Sequence, residues 1–577
     1  MGASGLALRL LVAPRPGALL RAAPTLTLVL FLGPIAAGLA GTALPAFGFL
    51  PAIGGERLSL APWAALLQAP GFAASLQLTL TSGFAATALS LGIVVLFCAA
   101  CHDTALFRLA QATLAPMLAT PHAAIAIGFA FLAAPSGMVA RLLSPWATGW
   151  TRPPDLATVN DSAGIALVAG LVLKEVPYLL LATLTALNQV RAPALMRAAR
   201  SLGYGPAAGW MKAVFPVVYP QIRLPVYAVL AFSLSVVDVA IVLGPGTSPT
   251  LGVLAMRWFS DRDLALWFPA SAASLLLAVL VSLAIALWRM GEAILSRLGR
   301  RWIEAGGRGG GGGALRLAGA GALAAVATLS LAALLVLLLW SAAGPWRFPH
   351  ALPSSLTLET WRAQAGRLAE AFRATATIGA LASCGAVALA LLCLEAEHRF
   401  GIEPSARALW LLYAPLLLPQ LAFLFGLQVL FVRAGVDGTV AAVVWAHLLF
   451  VLPYVFLSLA DPWRAMDRRL ARSAAALGAG PWRTFFTVKL PVMLRPILAA
   501  SAIGFAVSAG QYLPTLFAGA GRITTLTTEA VTLSGGSDRR VIAAWALAQA
   551  LLPLLVYAVA TAAPPFAWRN RRGLAVA

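Results

Sequence analysis

Charge is scarce in this chain. Of its 577 residues only 11% are Asp, Glu, Lys or Arg, while 60% are hydrophobic, and that balance excludes a soluble globular protein. Cysteine is scarce too. The four thiols, Cys98, Cys101, Cys384 and Cys393, lie in or beside apolar segments. Cys98-Ala-Ala-Cys101 is a lone pair, expected to be packed thiols rather than a redox or metal centre. His122 and His447 each stand alone in an apolar stretch, where a packed or hydrogen-bonded imidazole is expected rather than a member of a catalytic cluster. The phosphate-binding pattern GxxxxGK[ST] does not occur. The glycine run GGRGGGGGALR lacks the Lys-Ser/Thr ending and does not follow a strand. The chain is therefore expected to be no enzyme and to hold neither a metal nor a cofactor of its own.

What is present is apolar length. Runs long enough to cross about 30 Å of hydrocarbon lie near 23–44, 75–99, 109–133, 162–187, 218–244, 264–288, 317–341, 374–394, 408–432, 438–460, 493–513 and 541–562. The formal net charge of +21 raises the question of nucleic acid, and its distribution answers it. With the amino terminus inside, 27 of the 41 Lys and Arg fall on the cytoplasmic side, 13 on the outer side, and Lys174 within a helix. That is the positive-inside pattern of a multi-pass membrane protein with both termini cytoplasmic, and no compact basic domain remains to bind nucleic acid. The first apolar run follows Arg9, Arg15 and Arg21; its length, and a counterpart at 317–341, favour an uncleaved helix over a signal peptide.

One stretch occurs twice. RAARSLGYGPAAGWMKAVFP at 197–216 returns as RSAAALGAGPWRTFFTVKLP at 472–491, with Gly203 and Gly478 standing 275 residues apart, as do Pro216 and Pro491. Each copy is expected to form a helix ending at its glycine, where positive φ is cheap, and a second helix opened by Pro206 or Pro481. The second helix is amphipathic, carrying Trp210, Val214 and Phe215 in one copy and Trp482, Phe486 and Val488 in the other, with a basic residue on the wet side. Such an element suits insertion into a groove.

These residues resemble the EAA loop of binding-protein-dependent ABC importer permeases, the MetI-like family. The small pairs Ala198/Ala199 and Ser473/Ala474 are followed at the family's spacing by Gly203 and Gly478, and the copies close on Pro216 and on Leu490-Pro491. One departure is plain: the family's leading Glu is Arg197 in one copy and Arg472 in the other.

The duplication extends further. LSLAPW at 58–63 matches LTLETW at 356–361, and Pro121 and Gly128 match Pro419 and Gly426, all 298 residues apart. The offset then falls to 275, so the first half carries 23 extra residues between Gly128 and Gly203, most of them in the outer stretch 144–161. That stretch reads either as a tolerated loop insertion or as a contact for an external binding protein. Residues 289–316, basic and then glycine-rich, read as a cytoplasmic linker. It divides a first permease domain, 1–288 with its loop at 189–216, from a second, 317–577 with its loop at 464–491.

The resemblance implies an all-α membrane protein of about twelve transmembrane helices in two parallel six-helix MetI-like repeats. It looks like the fused permeases of the thiamine and ferric-iron type, and 510–540 looks most like the YnjC-type permease. It also implies a place in the bacterial inner membrane among lipid. The implied partners are a homodimeric ABC ATPase that supplies ATP and Mg²⁺ and docks on both loops, and an extracytoplasmic solute-binding protein. The solute would be small: thiamine, ferric iron or another. The rival reading is an ion-coupled secondary transporter of major-facilitator type, also six helices plus six, whose basic motif after the second helix is missing from CHDTALFRLA at 101–110.

Ionisable groups inside helices mark either a pathway or a structural pair, since a charge at mid-membrane costs at least about 2.5–3.5 kcal/mol. Lys174 and Glu175 lie midway along the fourth helix, Asp238 lies in the fifth, and Gln511 aligns with Asp238. Asp238 and Gln511 facing a central pathway is one reading. The other is an ion pair of Lys174 or its neighbour with Asp238 within the first half.

Overall fold

A computed structural model describes residues 17–102, 104–310, 312–402 and 405–567. Arg9, Arg15 and the basic residues beyond 567 lie outside them. Helices dominate, and among the described residues the only extended pairings are two isolated bridges, Leu50 with Gly55 and Ala343 with Leu356. These sit in corresponding loops, each following the first helix of its half.

In the first half the helices are α1 (Ala18–Ala46), α2 (Ala61–Gln68), α3 (Phe72–Cys101), α4 (Ala105–Ala119), α5 (His122–Ala133), α6 (Met138–Leu143), α7 (Ile165–Gln189), α8 (Ala192–Ser201), α9 (Pro206–Gly209), α10 (Phe215–Ser235), α11 (Asp238–Leu243), α12 (Leu251–Phe259) and α13 (Trp267–Glu304). The second half repeats the order as α14 (Gly313–Ser341), α15 (Glu359–Phe400), α16 (Ala406–Leu417), α17 (Leu421–Arg433), α18 (Val440–Ala465), α19 (Arg468–Ala476), α20 (Pro481–Thr484), α21 (Leu490–Val492), α22 (Leu494–Ala509), α23 (Leu513–Gly519), α24 (Leu526–Leu533) and α25 (Arg539–Ala567). Among the described residues ten helices are long and apolar enough to cross a membrane, or up to twelve if two bent pairs each count as one span.

The spans expected at 109–133, 218–244, 408–432 and 493–513 are not continuous helices. Pro121 and Pro419 break the third span of each half. A proline removes an N–H and disfavours helical backbone in the residue before it, and Thr120 is accordingly extended at ψ 133°. The pair α16 and α17 turns through 103° at that point. The fifth spans break where α10 ends at Ser235 and α22 at Ala509. Each then leads through a short helix to another, α12 or α24. A threonine of α3 or α15 anchors each of these: the Leu251 N–H donates to Thr79 Oγ1 at 2.8 Å, and the Leu526 N–H to Thr375 Oγ1 at 2.9 Å.

The halves are locked by exchange of their first helices. α1 packs on α17 and α15 of the second half, and α14 packs on α3 and α5 of the first. Lipid gives apolar helices little reason to associate, so close backbone approach must supply the packing. A Cβ on Gly41 would stand 2.8 Å from Gly426 Cα, and one on Gly319 3.0 Å from the Leu96 oxygen. The Gly426 N–H also donates to Thr42 Oγ1 at 3.0 Å. Gly128 and Gly426, matched in sequence, are both crossing points, Gly128 against Ala333 of α14.

Much of the expected linker is helical. α13 runs to Glu304 and α14 begins at Gly313, so among the described residues of the stretch only 305–310 and 312 lie outside helices. The extra residues of the first half fall where expected: 144–164 connect α6 to α7, against 434–439 between α17 and α18. Asp161 closes that loop by accepting the N–H groups of Ile165 at 2.7 Å and Ala166 at 3.0 Å.

Candidate functional site

The duplicated stretches fold into the same local structure. In the first, the Tyr204 N–H donates to the Ala199 oxygen at 3.1 Å and the Gly203 N–H to the Arg200 oxygen at 3.0 Å. In the second, Ala479 donates to Ala474 and Gly478 to Ala475, both at 3.0 Å. These are the paired bonds of a Schellman ending, which needs a left-handed residue after the helix; φ is +81° at Gly203 and +80° at Gly478. Pro206 and Pro481 then open α9 and α20. A π-helical turn follows each, Trp210–Val214 and Phe485–Lys489, before the chain enters the fifth span. The small second residue of the first pair is explained by packing: Ala199 is buried, and a Cβ on Gly209 would lie 3.1 Å from its methyl. Arg197, Ala198, Gly203, Pro216, Arg472, Ser473 and Gly478 are exposed; Ala474, Leu490 and Pro491 are half-buried.

The loops lie at one end of the molecule. Residues 308–310 and 312 touch the first loop, and α14 rises from there; α15 returns, α16 and α17 cross again, and α18 comes back to deliver α19. Leu202 and Leu477, at equivalent helix ends, stand 62% and 88% exposed.

Their surroundings differ. The Gly205 N–H donates to the Arg308 oxygen at 2.9 Å, and Lys212 Nζ donates to the Trp302 oxygen at 2.9 Å while lying over the Trp302 ring. The end of α13 and the glycine run thus cover one side of the first loop. Among the described residues no neighbour lies within 4 Å of a Cβ placed on Gly478 or Gly480. The basic residue expected on the wet side is there in the second loop, where Arg483 is exposed, but not in the first. Lys212 is buried, and Lys489 is buried against Glu395 at 2.6 Å, with His398 Nδ1 at 3.0 Å. In the second loop Phe485 faces inward, leaving Trp482 and Phe486 exposed, whereas Trp210 and Val214 of the first are buried.

Between the halves the broken spans collect polar groups. A Cβ on Gly510, at the second half's break, would lie 3.9 Å from Pro121 at the first half's break. Lys174 does not pair with Asp238. Its Nζ donates to the Met117 oxygen at 2.9 Å and the Thr120 oxygen at 2.6 Å, so it caps the carbonyl end of α4 where Pro121 interrupts the helix. Glu175 faces His122, with Oε1 3.7 Å from Nε2. Oε1 of Glu175 is buried and makes no hydrogen bond among the described residues. Asp238 is the first residue of α11 rather than a mid-helix group, within electrostatic reach of His122 and of Tyr512 from the other half. Gln511 lies beside Tyr512, between α22 and α23. His122 was not legible as a member of this group: its partner is 53 positions away in sequence. His447 is hydrogen-bonded on both ring nitrogens, to Ser508 and Thr515, as a packed histidine should be.

Residues 399–564 match the family described as "Binding-protein-dependent transport system inner membrane component". The chain is 35% identical over 523 residues to the inner membrane ABC transporter permease protein YnjC of Escherichia coli K12, covering 90% of this chain and 93% of that one. The chain belongs to the permeases of binding-protein-dependent ABC importers. Shorter likenesses are to a putative 2-aminoethylphosphonate transport permease, PhnV of Salmonella typhimurium, and to the putrescine transport permease PotI of Escherichia coli K12. The first is 26% identical over 31% of this chain and 68% of the relative, the second 27% over 26% and 56%. The secondary-transporter reading is set aside by this membership. The chain is a multi-pass inner-membrane permease.

Proposed function

We propose that the two loops, 189–216 and 464–491, are the docking elements for an ABC ATPase, and that the permease halves span 1–288 and 317–577. The observation that carries this is the recurrence, on one end of one chain, of the same Schellman turn, proline-opened helix and π turn, each leading straight into a broken fifth span. Two equivalent loops on one chain suit a homodimeric ATPase, whose closure on ATP and Mg²⁺ would bring them together. Each loop would then drag its fifth span and turn the halves as rigid bodies from inward-facing to outward-facing. The charge bias supports a cytoplasmic position for the loops and both termini. An extracytoplasmic solute-binding protein would deliver a small solute to the opposite end, near 144–161. Asp238 and Gln511, at the breaks, would face that solute, and Lys174 would hold the break open by capping α4.

Cysteines at Leu202 and Leu477, in a Cys384→Ser background, test the docking. Co-expressed with the ATPase, both are expected to cross-link to it, with the nucleotide state changing the yield. Cross-linking from neither, in a complex that still transports, would refute the assignment.

A further inference from the structure

At the end of the molecule away from the coupling loops, a cleft of about 510 Å³ opens between the halves. Arg141 reaches it from α6 of the first half and Arg539 from the start of α25 of the second, with Trp340 at the end of α14 beneath them. Both guanidiniums lie over the Trp340 ring, 5.4 and 5.5 Å from its centroid. Arg141 also lies over Trp346 at 4.8 Å, and Arg539 over Phe131 at 5.4 Å.

These cations are held but not neutralised. Arg141 is 4% exposed. Its Nε donates to the Ser136 oxygen at 3.0 Å and its Nη1 to the oxygens of Arg347 and His350, both at 3.1 Å. Arg539 donates from Nη1 to the same Ser136 oxygen at 2.8 Å and from Nη2 to Ser136 Oγ at 2.7 Å. Among the described residues neither pairs with a carboxylate. The one acid in the cleft, Asp538, is engaged by Arg540 through Nε and Nη2, both at 3.1 Å. Nη2 of Arg141 and Nε of Arg539 make no hydrogen bond among the described residues. Buried charges are ordinarily paired, and here two like charges from different halves share one carbonyl and one indole.

We infer that this cleft is a binding site for a small oxyanion of the phosphate, sulfate or carboxylate kind, which bridges Arg141 and Arg539 and ties the two halves together at that end. Planar guanidiniums with unused N–H groups suit oxyanions, and the aromatic floor keeps the arginines stacked when the site is empty. The inference stands apart from ATPase docking, since it uses neither loop.

The test is binding of ³²P-orthophosphate to the purified full chain in phosphatidylcholine nanodiscs, at fixed ionic strength. Saturable binding of one phosphate per chain is expected, displaced by sulfate. Arg539→Gln should weaken it by about tenfold or more, the effect of losing a charge-assisted bond. Asp538→Asn, which frees Arg540 and leaves the folded core untouched, should tighten it. A monodisperse wild-type protein that binds no phosphate saturably would overturn the inference. So would binding that Arg539→Gln and Asp538→Asn both leave unchanged. Phosphate binding seen only as competition with a docked solute-binding protein would reassign the cleft to a protein carboxylate, which also overturns it.

Discussion

Gly478→Val isolates the turn from everything around it. At φ +80°, and with no described residue beyond its chain neighbours within 4 Å of an added Cβ, the residue can be enlarged without a clash, so the cost is conformational alone. A side chain in left-handed backbone costs about 1–2 kcal/mol, the upper end for a β-branched one. The turn should then be populated about 5–30-fold less. Membrane insertion and folded yield should not change, because α19 and α20 carry little of the core. The assay is reconstitution in liposomes with the ATPase and the solute-binding protein, reading uptake and ATP hydrolysis per folded permease. Uptake should fall several-fold with folded yield intact, and Gly478→Asn should recover much of it, since Asn tolerates this conformation. Full uptake in the valine variant would refute the coupling role of the turn, and loss of folded protein would show that the loop is structural.

Gly426→Val places a side chain against the backbone of α1 at Gly41 and Thr42, so folded yield measured by size-exclusion should collapse, with a cost of about 3 kcal/mol or more. Lys174→Met leaves the Thr120 carbonyl unpaired, while that of Met117 keeps the Thr120 hydroxyl at 2.9 Å; the loss, about 1–3 kcal/mol, should lower the thermal midpoint. Asp238→Asn should keep that midpoint and reduce uptake; the reverse pattern would exchange the roles assigned to the two residues. Lys489→Met strips one partner from the buried Glu395, which keeps Arg399 at 3.0 Å, and should destabilise by roughly 3 kcal/mol, with much of it recovered on adding Glu395→Gln.

The parts of this molecule that repeat were legible in the sequence. Gly203 and Gly478 each end a helix with the same two hydrogen bonds, because only the local chain decides that geometry. Pro121 and Pro419 were legible as a matched pair, yet an apolar run reads alike whether it crosses straight or bends through 103°, so the breaks themselves were hidden. What lay between distant segments was hidden as well. Lys174 suggested an ion pair because a lysine at mid-membrane demands a partner, and nothing local shows that the partner is a pair of carbonyls 54 and 57 residues earlier. The burial of Lys489 depends on Glu395, 94 residues away, and the cover over the first loop depends on how far α13 extends.

Native mass spectrometry of the tagged permease, purified in mild detergent from its own host, tests the central claim most directly. One permease travelling with two copies of a single ATPase is the predicted result. A chain that consistently travels without an ATPase, with uptake driven by an ion gradient, would contradict it.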